Sequence, residues 1–416
     1  MIKVSIITIG DELLIGQVID TNSAWMAQEL NKAGIKVNRR VAVGDDWNEI
    51  WKALDDESEK AEVILITGGL GPTADDITKP LLCEYFNGKM IVSQEALDNV
   101  IHIFENIHKR PVTERNRKQA EVPDTCKVIL NKRGTAPCMW FEKDKKIFVS
   151  MPGVPHEMKG LMEESIIPEL SKIFTLPFIC HRTLVTYGIG ESNLADKIQG
   201  FESALPSNIK LAYLPNYGIV RLRLTSSGND KVKTETEIEN HFQRLQEEVK
   251  DFLVTNEDAP MELVVGRLLM ETNKTISTAE SCTGGYISHL LTAIPGSSAY
   301  FDGSMVTYSY QAKENLLGVR NETLINYGAV SEEVVREMIN GLLIKMNTDY
   351  AIAVSGIMGP GGGTPEKPIG TVWVAVGSKE KIVTKLFHFR FDRQKNIQLT
   401  AINALNLMRE FIIQNK

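Results

Sequence analysis

Two glycine-rich blocks, far apart in the chain, each follow a short apolar run. The first block spans residues 67–76 (TGGLGPTADD) and follows residues 63–66; the second spans residues 355–364 (SGIMGPGGGT) and follows residues 350–354. Continuous apolar runs of this length are typical of buried parallel strands. Glycines at the end of such a strand let backbone N–H groups approach a phosphate, and a following helix N-terminus adds a favourable dipole. The pattern predicts two α/β units, each with a nucleotide site at a strand-to-helix turn.

Length and composition narrow the class of protein. A chain of 416 residues with 43% hydrophobic and 24% charged residues predicts two or three globular domains. No apolar run reaches the roughly 20 residues of a membrane helix, and the first residues are typical of a strand rather than a signal peptide, so we expect a cytoplasmic protein without a membrane partner. The net charge of −7 disfavours a nucleic-acid partner. The five cysteines contain no CxxC pair, which disfavours a cysteine zinc site.

Residues 1–171 alternate between apolar strands and amphipathic helices. The predicted strands are 3–9, 36–43 and 63–67, and the predicted helices are 21–33, 48–60 and 156–173. This order predicts a doubly wound, mainly parallel sheet with helices on both faces.

The rest of the chain divides at about residue 256. Residues 172–255 predict a small α+β unit that resembles a KH fold but has no GXXG loop, so we interpret it as a spacer or dimerisation module and expect a homodimer. Residues 256–416 predict a third, α/β domain that contains the second glycine-rich block.

A serine and a lysine are candidates for catalysis in the third domain. Ser281 lies in residues 279–285 (AESCTGG) at a predicted strand-to-helix turn, where Thr283 and Gly284 could donate to an oxyanion. Lys313 is a candidate base if burial lowers its pKa, and Tyr310 lies three residues before it. Two simpler interpretations stay open: Ser281 as a helix N-cap and Lys313 as a surface residue. A Cys282–His289 pair is disfavoured, because seven residues of helix separate the two by about 10 Å.

Three motifs of this domain resemble the CinA C-terminal family: AESCTGG, TYSYQAKENLLGV and SGIMGPGGGTPEKPIGTV. Members of that family are nicotinamide mononucleotide deamidases with a Ser/Lys mechanism and no cofactor. The resemblance implies that Ser281 is the nucleophile, Lys313 its base and Tyr310 a supporting hydroxyl. It implies substrate contacts from Thr283, Gly284, Ser355, Gly361, Gly362 and Arg393. The family usually has a second arginine near the closing helix, and this chain has Ile397 there.

Acidic residues follow two predicted strands of the first domain. Asp11 follows the first strand, and Asp75 and Asp76 follow the glycine-rich loop after the third. Carboxylates beside a phosphate-binding loop predict a bridging divalent ion such as Mg²⁺, because the anions would otherwise repel one another. The alternative is that Asp75 and Asp76 only cap a helix. The polar or glycine residues that could surround a nucleotide are Gly68, Gly69, Gly71, Thr73, Asn131 and Thr135.

The first domain resembles the MoaB/MogA-like molybdopterin-binding domain found at the N-terminus of CinA proteins. The matching segments are GDELLIGQVIDTN, TGGLGPTADDIT, NKRGTAPC and MPGVPHEM. The resemblance implies a metal-dependent ADP-ribose pyrophosphatase in which Asp11, Asp75 and Asp76 hold metal or substrate and Glu157 is a fourth acid. The leading hypothesis is a bifunctional enzyme that acts on small-molecule nucleotides. Its rivals are a molybdopterin-cofactor enzyme and a non-enzymatic partner in DNA uptake or recombination.

Overall fold

The computed structural model describes residues 2–73, 76–216 and 218–415. By compactness the chain divides into two units, and the middle segment is shared between them. The first unit takes residues 1–181, 205–210 and 224–242, and the second takes residues 182–204, 211–223 and 243–416. The three-domain boundaries at residues 172 and 256 stay a prediction. In the described part of the chain, no helix is long and apolar enough to cross a membrane.

The N-terminal segment is built around a six-stranded sheet. The strands of this segment are β1 (Lys3–Ile9), β2 (Lys36–Val43), β3 (Val63–Thr67), β4 (Met90–Val92), β5 (Glu121–Pro123), β6 (Lys127–Ile129), β7 (Cys138–Lys143) and β8 (Lys146–Met151). Strands β4 and β5 form a separate two-stranded ribbon, and the other six form the sheet. The strand order is β2-β1-β3-β8-β7-β6, and the first four strands are parallel. Strands β7 and β6 are antiparallel, so the sheet is mainly parallel, as predicted.

The helices of this segment are α1 (Asp11–Leu14), α2 (Thr21–Lys32), α3 (Trp47–Ser58), α4 (Thr78–Tyr85), α5 (Gln94–Ile101), α6 (Glu114–Arg117), α7 (Pro155–Leu161) and α8 (Ile167–Ile173). Of these, α2 and α3 begin and end within two residues of the predicted helices 21–33 and 48–60. Asp20 caps α2 by accepting a hydrogen bond from the Ser23 N–H. A single helix was predicted over residues 156–173, but a π-helical segment, Met162–Ile166, separates α7 from α8. Two apolar clusters, built on Val4, Ile6 and Leu65 and on Ile7, Ile64 and Ile66, form the core.

The middle segment is a small α+β module. Its elements are β9 (Phe178–Tyr187), α9 (Glu191–Ser203), β10 (Ile209–Asn216), β11 (Ile219–Gly228), α10 (Lys231–Glu248) and β12 (Leu253–Thr255). The strand order is β10-β11-β9-β12.

The C-terminal segment has a five-stranded sheet that carries both catalytic candidates at one edge. The strands are β13 (Ile276–Glu280), β14 (Phe301–Val306), β15 (Tyr350–Gly356), β16 (Thr371–Gly377) and β17 (Ile382–His388). The helices are α11 (Met261–Thr272), α12 (Tyr286–Thr292), α13 (Tyr310–Leu317), α14 (Asn321–Tyr327), α15 (Glu332–Met346) and α16 (Arg393–Gln414). The strand order is β14-β13-β15-β16-β17, and β14, β13 and β15 are parallel. Their carboxyl ends therefore meet at one edge of the sheet.

Candidate functional site

Ser281 lies directly after the buried strand β13, on the loop that leads into α12. Glu280 pairs with Val306 on β14 and with Val354 on β15, so the residues that follow these three strands lie side by side. The Ser281 N–H donates to the Val354 carbonyl at 3.2 Å, which fixes the start of the loop. Ser281 is only 7% exposed. The serine is therefore held at the sheet edge where α/β proteins bind ligands.

Lys313 reaches Ser281 from the first turn of α13, which Ser309 caps. The Lys313 Nζ lies 2.9 Å from the Ser281 Oγ and donates to the Thr307 carbonyl at 2.8 Å. Lys313 is 1% exposed, and this burial lowers its pKa to about 8. Roughly a tenth of the lysine is therefore neutral at pH 7, and this neutral form can accept the serine proton. This geometry argues against a surface lysine and a merely capping serine.

Cys282 does not have the properties of a nucleophile. The thiol is buried, and desolvation raises its pKa to about 12. Its sulfur therefore stays protonated at neutral pH. Of the two neighbouring residues, Ser281 is therefore the better candidate nucleophile.

Glu280 is an important residue that sequence reasoning missed. Its carboxylate is fully buried and accepts hydrogen bonds from the Thr283 Oγ1 at 2.7 Å and from the Gly285, Ile287 and Ser288 N–H groups at 3.1, 3.0 and 2.8 Å. It ties the loop after Ser281 to the N-terminus of α12. A buried glutamate just before a strand-to-helix turn is the signal that could have identified it.

The loop bonds also correct the roles predicted for Thr283 and Gly284. The Thr283 hydroxyl donates to Glu280, and the Gly284 N–H donates to the Ser281 carbonyl at 3.1 Å. Gly284 has φ +62°, a left-handed conformation that favours glycine at this tight turn. Both residues shape the nucleophile loop rather than line the cavity in front of it.

A cavity of about 260 Å³ opens in front of Ser281. It is lined by Ser281, Cys282, Tyr308, Lys313, Ala329, Val330, Ser355, Gly356, Ile357, Met358, Gly359, Gly361, Gly362 and Arg393. The structure thus brings the predicted residues Ser355, Gly361, Gly362 and Arg393 together with the Ser/Lys pair. The glycine-rich block after β15 forms one wall.

The two tyrosines before Lys313 have different positions from those predicted. Tyr310 is not among the residues that line the cavity, and its hydroxyl accepts a hydrogen bond from the Ala329 N–H at 3.3 Å. Tyr308 lines the cavity instead, and its hydroxyl accepts from Arg393 Nη2 at 2.9 Å. The turn between β14 and α13 directs Tyr308, not Tyr310, toward the site.

Arg393 is the first residue of α16 and is held by neutral oxygens. Its Nη1 donates to the Gly359 carbonyl at 2.7 Å and its Nη2 to the Tyr308 hydroxyl. Neither partner carries charge, so the guanidinium remains available to an anion. Ile397, which stands where the family has a second arginine, packs against the hydrophobic core.

The glycine-rich loop of the N-terminal segment is closed by its own aspartate. Gly68 has φ +117°, and a Cβ there would lie 2.2 Å from the Ile9 carbonyl oxygen, so only glycine fits. Asp76 accepts hydrogen bonds from the Gly71 and Thr73 N–H groups at 2.8 and 2.9 Å. The loop N–H groups predicted to face a phosphate at Gly71 and Thr73 therefore bind Asp76 instead. The Thr78 hydroxyl lies close to the Cα of Gly69, where a side chain would otherwise be.

The other predicted acids lie in separate local networks. Asp11 and Asp45 bond to each other's backbone: each N–H donates to the other's carboxylate at 3.1 Å. Glu157 accepts a hydrogen bond from Asn131 Nδ2 at 2.6 Å, and burial raises the pKa of Glu157. Thr135 is half-buried in the loop after Asn131.

These contacts do not form the predicted metal site. Asp11, Asp76 and Glu157 each bind a different part of the backbone or a different side chain. Within residues 2–73, 76–216 and 218–415, no three His, Cys, Asp or Glu side chains are grouped to hold a metal ion. Asp75 lies outside the described residues. The carboxylates are used locally because backbone N–H groups at the strand ends need acceptors.

A second cavity, of about 150 Å³, lies at the carboxyl ends of β1 and β3. It is lined by Thr8, Ile9, Glu12, Leu13, Val18, Ile19, Asp20, Thr21, Asn22, Thr67, Gly153 and Pro155. Sequence reasoning gave none of these residues a binding role beyond the motifs that contain them. Helix α1, the first turn of α2 and the segment between them together supply seven of these twelve residues.

Comparison with known proteins assigns the three segments. Family models match residues 5–172 (probable molybdopterin binding domain), 181–255 (damage-inducible protein CinA KH domain) and 258–412 (CinA C-terminal domain). The CinA-like protein of Flavobacterium psychrophilum is 45% identical over 414 residues, which cover 99% of each chain. The chain belongs to the CinA family. A putative competence-damage inducible protein of Clostridium beijerinckii is 40% identical over 416 residues, covering 99% of this CinA-family chain and 100% of its own.

Among solved structures, the competence/damage inducible protein CihA from Agrobacterium tumefaciens matches a part of this CinA-family chain. The two are 37% identical over 36% of this chain and 94% of that one, with a TM-score of 0.35. The family models and the full-length relatives confirm the predicted family resemblance, and the sheets described above confirm the predicted fold class.

Proposed function

We propose that the C-terminal site hydrolyses the amide of nicotinamide mononucleotide to nicotinate mononucleotide and ammonia. The observation that carries this proposal is the 2.9 Å contact between the buried Lys313 Nζ and the Ser281 Oγ. A nucleophilic hydroxyl beside a base of lowered pKa is the arrangement that acyl transfer requires. Membership of the CinA family supports the substrate.

The reaction proceeds through an acyl-enzyme. Neutral Lys313 takes the Ser281 proton while the serine oxygen attacks the carboxamide carbon. The protonated Lys313 side chain then gives that proton to the leaving nitrogen of the substrate, which departs as ammonia. Lys313 then takes a proton from water, the hydroxide attacks the ester carbon, and the proton passes to Ser281 as nicotinate mononucleotide leaves. Both half-reactions use the same base, as in serine hydrolases generally.

Arg393 supports a substrate that carries a phosphate. Its guanidinium lines the cavity and binds only neutral oxygens from Gly359 and Tyr308. A planar guanidinium matches phosphate geometry well. In this proposal Arg393 holds the 5′-phosphate while the carboxamide lies at Ser281.

Substitution of Ser281 tests this function. We expect Ser281→Ala to reduce ammonia release from nicotinamide mononucleotide on the order of thousands-fold, because the nucleophile is removed. The matched control is Cys282→Ala at the next residue, which should retain most of the activity. Loss of activity in Cys282→Ala with normal activity in Ser281→Ala would show that the assignment is wrong.

We also propose that the N-terminal segment cleaves the pyrophosphate of ADP-ribose to AMP and ribose 5-phosphate. A cavity at the carboxyl ends of β1 and β3, next to a glycine-rich loop, supports a nucleotide site there. The described carboxylates do not gather around a common point, and the proposal keeps the predicted dependence on a divalent ion.

Release of AMP from ADP-ribose tests this second activity. In the proposal it stops when a chelator removes divalent ions, while deamidation by the same preparation continues. Full cleavage in excess chelator, or by the double variant Asp75→Asn with Asp76→Asn, would exclude the predicted metal bridge.

A further inference from the structure

The first turn of α16 carries a second side chain that contacts the glycine-rich block after β15. Asn396 lies three residues after Arg393, so the two side chains share one face of the helix. Asn396 is fully buried, whereas Arg393 is exposed. A buried amide needs hydrogen-bond partners, and those of Asn396 lie outside the helix.

The Asn396 amide joins two segments of backbone. Its Nδ2 donates to the Met358 carbonyl at 3.1 Å and to the Phe391 carbonyl at 2.9 Å. Its Oδ1 accepts from the Phe391 N–H at 3.3 Å. Both amide hydrogens and the oxygen are therefore used. They connect the residues just before α16 to the glycine-rich block.

Met358 and Gly359 are adjacent, and side chains of α16 bind both of their carbonyls. Asn396 binds the first, and Arg393 Nη1 binds the second at 2.7 Å. Both loop residues line the cavity in front of Ser281. Met358 is also part of the hydrophobic core of this segment, so the bond from Asn396 is anchored in packed protein. The same stretch of loop that Asn396 holds is thus the one against which the Arg393 guanidinium rests.

The placement of this guanidinium matters because no other arginine shares its role. Arg393 is the only arginine among the described residues that line the cavity. Ile397, where the family has a second arginine, packs against the hydrophobic core. A misplacement of about 1 Å can weaken a positioned contact by as much as a hundredfold. A second guanidinium that could compensate is not present at that position.

We propose that Asn396 is a positioning residue for phosphate binding. It holds the glycine-rich block and the start of α16 at the separation from which Arg393 reaches the 5′-phosphate. This inference rests on the deamidation of nicotinamide mononucleotide proposed above. It gives Asn396 no contact with substrate, so the effect of Asn396 passes through Arg393.

Steady-state kinetics of Asn396→Ala on the full chain test this role. KM for nicotinamide mononucleotide should rise about tenfold with a change in kcat below about twofold, because the reacting groups at Ser281 stay in place. Hydrolysis of nicotinamide riboside, which has no phosphate, should be unchanged. The matched control is Asn406→Ala. Asn406 is another buried asparagine of α16, but its Nδ2 bonds to Glu410 within the helix, so its loss should leave KM unchanged.

A double-mutant cycle separates positioning from general support of the fold. In a chain that already carries Arg393→Ala, the further change Asn396→Ala should add almost nothing to KM, because the group that Asn396 positions is absent. Two increases in KM that multiply would show that the residues act independently and would overturn the proposal.

The remaining outcomes are equally decisive. An equal loss on the nucleotide and on the riboside would mean that Asn396 only supports the fold, and would overturn the inference. If Asn396→Ala does not fold, the milder Asn396→Ser, which keeps a small hydrogen-bonding side chain, should raise KM in the same direction by a smaller factor. An unchanged KM in folded Asn396→Ser would then overturn the inference.

A binding measurement keeps this inference separate from the proposed activity. Absence of ammonia release from nicotinamide mononucleotide by the wild-type chain would contradict the deamidase. Isothermal titration with nicotinamide mononucleotide and with nicotinamide riboside then measures how much the phosphate contributes to affinity. The part of this contribution that Arg393→Ala removes should also fall about tenfold in Asn396→Ala. Full retention of it in folded Asn396→Ala would overturn the positioning role.

Discussion

The C-terminal site and the N-terminal cavity both lie at the carboxyl ends of parallel strands, yet their polar groups are used differently. In the C-terminal site the two reacting groups, Ser281 and Lys313, contact each other, and the carboxylate of Glu280 holds their loop. In the N-terminal segment Asp11 and Asp76 bind nearby backbone, and the carboxylates of Glu12 and Asp20 lie in a separate cavity. The first site has its candidate nucleophile and base in contact before substrate arrives. In the second, the described carboxylates are not gathered around one point.

The largest expected effect comes from removing the proposed base, Lys313, which should affect only the C-terminal activity. Lys313→Met keeps the side-chain volume but cannot accept a proton, so deamidation should fall on the order of thousands-fold. Lys313→Arg should be equally inactive, because guanidinium does not deprotonate. Parallel assays of ammonia and AMP release should show loss of the first alone. Deamidation that survives in Lys313→Met would remove the contrast, since the C-terminal pair would then not be catalytic.

The second expected effect is a rise of about a hundredfold in the deamidation rate between pH 6 and pH 8. Lys313 must be neutral to act as base, and burial lowers its pKa to about 8. The deamidation rate at low substrate should therefore rise about tenfold per pH unit up to about pH 8 and then level off. A rate that is flat between pH 6 and pH 8, or that falls, would contradict this base.

The lowered pKa of Lys313 also makes the free energy of unfolding depend on pH. The unfolded chain binds the lysine proton up to its ordinary pKa of 10.5, while the folded chain releases it at about 8. Because the unfolded state binds more protons in this window, the free energy of unfolding should rise with pH from about 8 to 10.5. Urea unfolding of wild type and Lys313→Met across this range measures it, and the rise should be smaller in the variant.

Arg393→Ala provides an intermediate effect. A charge-assisted hydrogen bond to phosphate contributes about 1.5–3 kcal/mol, so KM for nicotinamide mononucleotide should rise roughly ten- to hundredfold with a smaller change in kcat. Hydrolysis of nicotinamide riboside, which has no phosphate, should be similar in variant and wild type. An equal loss on both substrates would mean that Arg393 supports the loop at Gly359 rather than the phosphate. ADP-ribose cleavage is the control from the other region.

The smallest expected effect concerns separation of the two activities. A fragment of residues 259–416 contains Ser281, Lys313 and Arg393 and should deamidate without metal at a rate close to that of the full chain. Its stability should be lower, because Val185 and Ile219 belong to the same hydrophobic core and contribute about 1.5–3 kcal/mol each when fully buried. A fragment that begins at residue 182 should recover the lost melting temperature. A folded but inactive shorter fragment would mean that preceding residues complete the site.

The sequence predicted best what depends on short-range rules. The strand-to-helix turn at Ser281 and the buried strand before the second glycine-rich block were both predicted from local patterns, and the structure has β13 and β15 at these places. The choice between Tyr308 and Tyr310 depended on the backbone of the three-residue turn between β14 and α13. That geometry does not follow from residue type.

Other features conflicted with the usual preferences of their residues. Glu280 is fully buried although glutamate is rarely so, and only its several backbone donors make this stable. The β7–β8 hairpin was not predicted, although Asp144 and Lys145 between the two strands have the positive φ values of a tight turn, 51° and 62°. The predicted metal site stays a prediction: Asp11, Asp76 and Glu157 lie in separate hydrogen-bond networks, because spacing along the chain does not show which donors compete for a carboxylate.

Ala329 shows how a wall of the C-terminal cavity keeps its shape. The Tyr310 hydroxyl accepts from the Ala329 N–H at 3.3 Å, and the Ser355 hydroxyl donates to the Ala329 carbonyl at 2.7 Å. Two side chains from different elements therefore hold both peptide groups of one residue and oppose rotation about its backbone bonds. Ala329 has no functional side chain, yet its fixed backbone keeps this part of the cavity wall in place. Variants with altered substrate preference could be sought by removing one of these two hydrogen bonds to Ala329 while the Ser281–Lys313 pair is left unchanged.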